Sequence, residues 1–474
     1  MRDTKIVATL GPASSDENVL RDMIKAGVNV VRINFSHGTA QDHIDRVISV
    51  RKIALEMGVH IGVLADLQGP KIRIAQFADG KIFLEKGAEF IFDTDAATLG
   101  DVNRVGLDFP ELIKDVQKDD ILLLDDGKIR VKIIVKTPDS LRCVVEQGGV
   151  LSNRKGINKL GGGLSAAALT SKDCADLITA AAFEADYLAI SFPKNAADMY
   201  MARELMRNAG GKNAQMIAKI ERAEAIPNLA EILDASDGIM VARGDLAVEV
   251  GDAKVPALQK KMIRMAREKN KLTITATQMM ESMISSHVPT RAEVSDVANA
   301  VLDGTDAVML SAETASGSFP VETVRVMAQV CEEAALFAPI TLDQEMMNMT
   351  FDRIDQSVAM AAIFTAYHLK ANAIIVLTES GSTPLWMSRF NSGVPIYAFS
   401  RNVHTLRRLS LFREVNVLPL PDQDMTHEKA TTLIESTLIK QGVLKQGDTA
   451  VITYGSNMGK IGASDTMRIR RIGG

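Results

Sequence analysis

Short, continuous apolar runs recur along the first two-thirds of the chain, at residues 4–11, 29–35, 61–67, 187–192, 215–221, 238–242, 272–277 and 307–311, with stretches of helical periodicity between them. Strands apolar on both faces and joined by helices predict a parallel sheet covered on both sides. Eight such units match the count of a closed β/α barrel, although an open doubly wound sheet has the same local pattern. The polar residues that end the runs separate the two: Arg32 to His37, Asp66 to Lys71, Ser191, Lys219 with Glu221, Arg243 to Asp245, Thr277, Ser311 and Glu313. So many polar strand ends converge only at a barrel mouth.

Between the third and fourth runs about a hundred residues intervene, where a loop and a helix need a few tens. Residues 70–169 change to short alternating strands, at 81–84, 89–92, 121–124, 129–135 and 141–146, broken by Asp-Gly and Gly-Gly signals. That pattern predicts a small inserted β-barrel domain, placed to act as a lid over the mouth or as a rigid decoration. The barrel resumes at Thr170-Ser171-Lys172-Asp173, which opens a helix in the manner of a capping box. The expected division is therefore 1–69 with 170–339 for the barrel, 70–169 for the lid and 340–474 for a C-terminal α/β domain. In the last, helices are expected at 355–369 and 425–441, and strands at 373–377, 395–399, 416–420 and 449–454.

Length and charge narrow the picture further. A chain of 474 residues is too long for one core. Its 54 Lys and Arg against 59 Asp and Glu are dispersed without a basic tract, which argues against nucleic acid and anionic membranes as partners. Cys143, Cys174 and Cys331 lack metal-type spacing and are odd in number, as expected in a reducing compartment. The N-terminus turns polar too soon for a secretory signal and no apolar run reaches membrane-spanning length, so a cytoplasmic location is expected.

The chemistry concentrates at 219–245. Side chains alternate faces in a strand, so Lys219 and Glu221 project together, and Asp245 follows the next run in the equivalent place. Two carboxylates from adjacent strand ends can hold a hard divalent cation, and a lysine beside them can neutralise a phosphoryl group or an enolate. The arrangement points to phosphoryl transfer; a structural ion pair at the rim is the plainer alternative. In the third unit, Thr378-Glu379-Ser380-Gly381-Ser382-Thr383 forms a hydroxyl-rich turn opening a helix, suited either to a phosphate or to ordinary N-capping.

Six segments, RINFSHG at 32–38, ADLQGPKIR at 65–73, AKIE at 218–221, MVARGDL at 240–246, ATQMMESM at 276–283 and DAVMLSAETA at 306–315, give the chain a strong resemblance to the pyruvate kinase family over essentially its whole length. The resemblance implies phosphoryl transfer from phosphoenolpyruvate to ADP, giving pyruvate and ATP. It implies Glu221 and Asp245 as ligands of Mg²⁺ or Mn²⁺. The catalytic group would be Lys219, Arg32, Thr277, Ser311 and Glu313, with the last two and Thr277 near the site of enol protonation. Arg32, Lys219, Gly244, Asp245 and Thr277 would bind substrate, and Arg73, Asn34, His37 and Lys172 the nucleotide. Asn34, Ser36, Asp66 and Leu67 match a monovalent-cation pocket. Lys71 stands where K⁺-dependent relatives carry glutamate, so it would replace the ion and K⁺ would not be required. Thr378, Ser380, Ser382 and Thr383 would hold the phosphate of a sugar or nucleotide monophosphate effector, and the family expectation is a homotetramer. Two departures stand out: Ala247 in place of the usual glycine, and Glu379 with the loop 455–459, which lack the groups that bind a bisphosphate activator. The rival readings are a metal-dependent barrel aldolase or lyase acting on a pyruvate enolate, and a non-catalytic sensor of sugar phosphate.

Overall fold

The computed structural model describes residues 2–337, 342, 347–421, 426–456, 462 and 464–473. The expected boundary at 339 and positions 457–459 of the late loop lie outside them.

Each of the eight apolar runs contains one strand of a closed parallel barrel: Lys5–Thr9, Val30–Asn34, Gly62–Asp66, Tyr187–Ile190, Gln215–Ile220, Gly238–Ala242, Leu272–Ala276 and Ala307–Leu310. Neighbours in sequence are neighbours in space, and the eighth strand closes on the first through Lys5↔Ala307 to Ala8↔Leu310. Most runs extend past their strand; some of the trailing residues, such as Phe35 and Leu67, are buried in the cluster around the barrel, while Ser191 and Glu221 reach Lys219 at the mouth. Register fixes which of them meet: Asp66 pairs with Asn34 on one side and Ala189 on the other.

The insert folds as a six-stranded sheet with a two-stranded ribbon. Three short strands that the sequence pattern missed, Arg104–Gly106, Gly149–Ser152 and Ile157–Lys159, complete it. Its apolar residues, including Phe90, Phe92, Leu122, Val131 and Cys143, form a cluster separate from the barrel's. The barrel resumes where expected: Thr170 caps the helix Ser171–Ala182 and Asp173 reciprocates. Asp173 also accepts from the Gly69 amide at 3.0 Å, tying the two ends of the insert together.

The third unit is a five-stranded sheet with Ala373–Leu377 at its centre and the antiparallel strand Ser464–Arg471 at its edge. Residues filling the barrel interior, among them Val7, Leu64, Tyr187, Met240 and Met309, belong to the same cluster as Ala362, Ile363, Phe390, Leu409 and Phe412 of this unit, which covers the barrel floor. Burying each large apolar side chain contributes about 1.5–3 kcal/mol, so the floor is a substantial joint. A buried ion pair crosses it. Asp306 accepts from Arg389 Nη1 at 3.0 Å, from the Thr273 amide at 2.9 Å and from the Arg413 amide at 3.3 Å, and Arg389 Nη2 also donates to it.

Candidate active site

At the mouth, Lys219 is the penultimate residue of the fifth strand, with its side chain 12% exposed. Its ammonium lies 3.0 Å from Glu221 Oε1 and 3.2 Å from Asp66 Oδ1, and it donates to Ser191 Oγ at 2.7 Å. Ser191 Oγ in turn donates to the Leu67 carbonyl at 2.7 Å. Arg32 Nε donates to Asp66 Oδ2 at 2.6 Å and Arg32 Nη1 to Thr9 Oγ1 at 3.1 Å. Asp66 is therefore the buried hub that aims two cations into the mouth. Burial opposes its charge, but Lys219 and Arg32 outweigh that and hold the carboxyl below its usual range. Burial likewise opposes the Lys219 charge, and Asp66 and Glu221 outweigh it, so the ammonium stays firmly protonated.

Glu221 is the frustrated member. Burial pushes its carboxyl up to about 7, Lys219 opposes the shift and the charge of Asp245 adds to it. One of its oxygens accepts from the Phe192 amide at 2.9 Å. A buried carboxylate whose charge a second carboxylate opposes suits a hard divalent cation. Among the described residues no group of three or more His, Cys, Asp and Glu could hold a metal alone. A pair of protein carboxylates completed by substrate oxygens and water is how Mg²⁺ is commonly held, so the donor set fits.

Asp245, near the start of the helix Arg243–Val250, carries the Lys71 ammonium on Oδ1 at 3.1 Å. The same ammonium reaches Asp126, at the tip of a hairpin of the insert, at 3.3 Å. Burial opposes its charge, but Asp245 and Asp126 raise its pKa. Lys71 thus sits against Asp245 of the metal-type pair and links it to the Asp126 hairpin. It is not brought to Asn34, Ser36, Asp66 and Leu67: Asn34 Oδ1 accepts from the Ser36 amide at 3.2 Å, and Asp66 and Leu67 are engaged as above.

Thr277 has φ of +69°, unusual for a β-branched residue, and its hydroxyl oxygen accepts from the Gly244 amide at 2.9 Å. Glu313 accepts from the backbone amides of Ser311 at 2.6 Å and Met280 at 3.3 Å, bracing the turn beyond the eighth strand. Of the nucleotide group, Lys172 donates to the Phe35 carbonyl at 2.8 Å beside Asn34 and His37. Arg73 faces a different way: it donates to the Arg154 carbonyl at 3.0 Å and lines a cavity of about 420 Å³ in the insert with Gln76, Asp108 and Arg154. In the third unit, Thr378 Oγ1 accepts from the Gly381 amide at 2.9 Å and Thr383 Oγ1 donates to Ser464 at 2.8 Å, so two of the four hydroxyls brace the turn. Ser380 and Ser382 are 3.2 Å apart, and Arg408 reaches the Ser380 carbonyl at 3.4 Å.

The family model described as pyruvate kinase, barrel domain, matches residues 1–324, and the one described as pyruvate kinase, alpha/beta domain, matches residues 356–470. The chain belongs to the pyruvate kinase family. Among the pyruvate kinases it is similar to are that of Haemophilus influenzae, 52% identical over 460 residues and 96% of each chain, and that of Buchnera aphidicola subsp. Baizongia pistaciae, 50% identical over 476 residues and 99% of each chain. Pyruvate kinase II of Salmonella typhimurium is 49% identical over 477 residues, 99% of this chain and 98% of that one. The aldolase reading finds no support among these relatives.

Sequence reasoning left out several members of the site. Ser191 appeared only as a polar strand end, yet it links Lys219 to Leu67. Thr9, Asp126 and Arg154 gave no signal, and Arg243 appeared only as a polar run end, because their contacts depend on pairings distant in sequence. Glu249 is another: on the helix that carries Asp245, it accepts from the Ala223 amide at 2.8 Å, and its carbonyl accepts from Gly161 at 3.0 Å where the insert returns to the barrel.

Proposed function

We propose that the chain transfers the phosphoryl group of phosphoenolpyruvate to ADP, yielding pyruvate and ATP. The observation that carries this reading is the buried group Lys219, Asp66, Glu221 and Arg32 at a barrel mouth, in a chain of the pyruvate kinase family. Pyruvate kinases generally use Mg²⁺ and K⁺. Here Glu221 and Asp245 would hold Mg²⁺ or Mn²⁺, whose charge, when bound, neutralises oxygens of the substrate. The Lys219 ammonium, aimed by Asp66, Glu221 and Ser191, stabilises negative charge that develops on the phosphoryl group and the enolate oxygen. Arg32 is fixed through Nε and Nη1, which leaves Nη2 to meet the phosphoryl oxygens. Thr277 and the amides of Gly244 and Asp245 receive the substrate carboxylate. Ser311, Glu313 and Thr277 border the methylene that takes up a proton.

Nucleotide binding is assigned to Asn34, His37, Lys172 and Arg73, the last carried by the insert acting as a lid. The proposed domains are 1–69 with 170–339, 70–169 and 340–474. K⁺ independence is proposed on Lys71, now as a positive charge held at Asp245 rather than in the oxygen pocket. The effector site is proposed at Thr378, Ser380, Ser382 and Thr383, with Arg408 as an added cation. A cytoplasmic homotetramer is the proposed working form; among the described residues no helix is long and apolar enough to cross a membrane.

The deciding experiment follows pyruvate release from phosphoenolpyruvate in purified protein with Mg²⁺, with and without ADP. Release that depends on ADP and is matched by ATP is expected. Release without nucleotide, or none at all, would sink the proposal.

A further inference from the structure

We propose that Arg243 is a positioning residue that clamps the loop after the seventh strand and so holds the Thr277 hydroxyl where the reaction uses it. The inference rests on the reading that this hydroxyl meets the substrate. Ala242 and Ala276 are register partners at the ends of adjacent strands, so Arg243 and Thr277 leave the barrel side by side. The guanidinium of Arg243 donates through Nε to the Ala276 carbonyl at 3.2 Å and through Nη2 to the Thr277 carbonyl at 2.6 Å. Nη1 donates to Asp296 at 2.7 Å on the helix Arg291–Leu302, outside both loops. One planar fork therefore binds two successive carbonyls and is itself anchored from behind.

What it binds is a strained backbone. Thr277 and Gln278 take φ of +69° and +54°, and a β-branched residue enters that region only when its surroundings force it. In this conformation Thr277 Oγ1 accepts from the Gly244 amide at 2.9 Å and donates to the Ala276 carbonyl at 2.6 Å, lying beside the turn that carries Asp245. Without the guanidinium the two carbonyls lose a charged donor and the relaxed extended backbone becomes favoured. That change swings the hydroxyl off Gly244. Arg243 touches none of the reacting atoms in this account and acts through Thr277 alone.

The test is a double-mutant cycle of Arg243→Met and Thr277→Ala, read as kcat, as KM for each substrate and as the exchange of pyruvate methyl protons with solvent, which reports enolate chemistry without phosphoryl transfer. Mn²⁺ binding, followed by electron paramagnetic resonance, checks that Glu221 and Asp245 are undisturbed. Arg243→Met is expected to lower kcat and proton exchange about a hundredfold, as a misplacement near 1 Å does. Combined with Thr277→Ala it is expected to cost nothing further. Arg243→Lys recovers part of the loss, because an ammonium reaches one carbonyl but cannot fork. Should Arg243→Met not fold, Asp296→Asn removes the anchor from outside and is expected to lower kcat severalfold, with no effect once Thr277 is alanine. Additive losses, or wild-type turnover in Arg243→Met, overturn the clamp alone. Wild-type turnover in Thr277→Ala overturns the role of the hydroxyl, and the clamp falls with it.

Discussion

The mouth and the floor of the barrel both bury an aspartate against an arginine, and they use it differently. At the floor, Asp306 is enclosed by Arg389, by the Arg413 amide and by the Thr273 amide and hydroxyl, with donors to both oxygens. At the mouth, Asp66 Oδ1 has the Lys219 ammonium at 3.2 Å and no well-aligned hydrogen-bond donor, while burial, with the charge of Asp245 added, pushes the Glu221 carboxyl up. The floor is chemically finished and the mouth is not. Saturating a buried charge fixes one arrangement of two units, whereas leaving valence on buried charges prepares a place for a ligand.

The largest effect should come from the unfinished end. Lys219→Met is expected to remove about 4 kcal/mol or more of transition-state stabilisation, on the order of a thousandfold in kcat, with Mn²⁺ binding and thermal unfolding largely preserved. Turnover near the original rate in a folded variant would erase the distinction between the two ends. Next comes the floor. Arg389→Met strands Asp306 without its ion-pair partner, and calorimetry should record about 3–5 kcal/mol of lost stability. Activity per folded molecule at 25 °C should stay close to that of the parent chain, and a loss confined to activity would show that the floor serves catalysis instead.

Glu249 sharpens the comparison from a third place, the root of the insert. Burial pushes its carboxyl up to about 7 from an ordinary 4.5. Between those values the folded chain holds a proton that the unfolded chain releases. Its contribution to stability is thus fully present below about pH 4.5, falls as pH rises and levels off above 7. Glu249→Gln should remove its share of that slope, on the order of 3 kcal/mol between the limits, and leave the share that Glu221 contributes over the same range, in unfolding measured from pH 5 to 8. An unchanged slope would place the titration elsewhere. The smallest expected difference concerns Lys71. In buffer free of K⁺ and NH₄⁺, added KCl at fixed ionic strength should change the rate less than twofold or so, and Lys71→Glu should become K⁺-dependent. Strong stimulation of the parent chain would restore the ion to the oxygen pocket and leave Lys71 as a latch between Asp126 and Asp245.

The barrel was legible because its strands are apolar on both faces and end abruptly in charge, a signal carried within each run of residues such as 215–221. The edge strand Ser464–Arg471 was not, since its alternation of Arg468, Arg470 and Arg471 with Met467 and Ile469 lies mostly exposed and resembles a charged tail. At the site, the ionic residues were legible from type and strand position. Their wiring was not. Ser191 and Thr9 are ordinary hydroxyls until the barrel closes, and nothing in Gly-Pro-Lys announces that Lys71 lies against Asp245, 174 positions away. Thr277 is legible as a polar strand end and, through the family resemblance, as a substrate contact, but its positive φ and its carbonyl's contact with Arg243 are not.

The separate apolar cluster of the insert and the shared cluster at the floor give the chain two kinds of joint. The insert leaves and re-enters at points held together by Asp173 and Gly69, so splicing residue 69 to residue 170 should remove a self-contained module and leave the barrel able to fold. Truncation after the last barrel helix would instead strip the barrel floor, where Lys5 and Tyr187 now meet Val415 and Arg408, of the unit that shares its apolar cluster, leaving a surface prone to self-association. Recombination can therefore exchange the insert of such a chain as a module if the Lys71 contact with Asp245 is kept, while the unit beneath the barrel must be inherited with it.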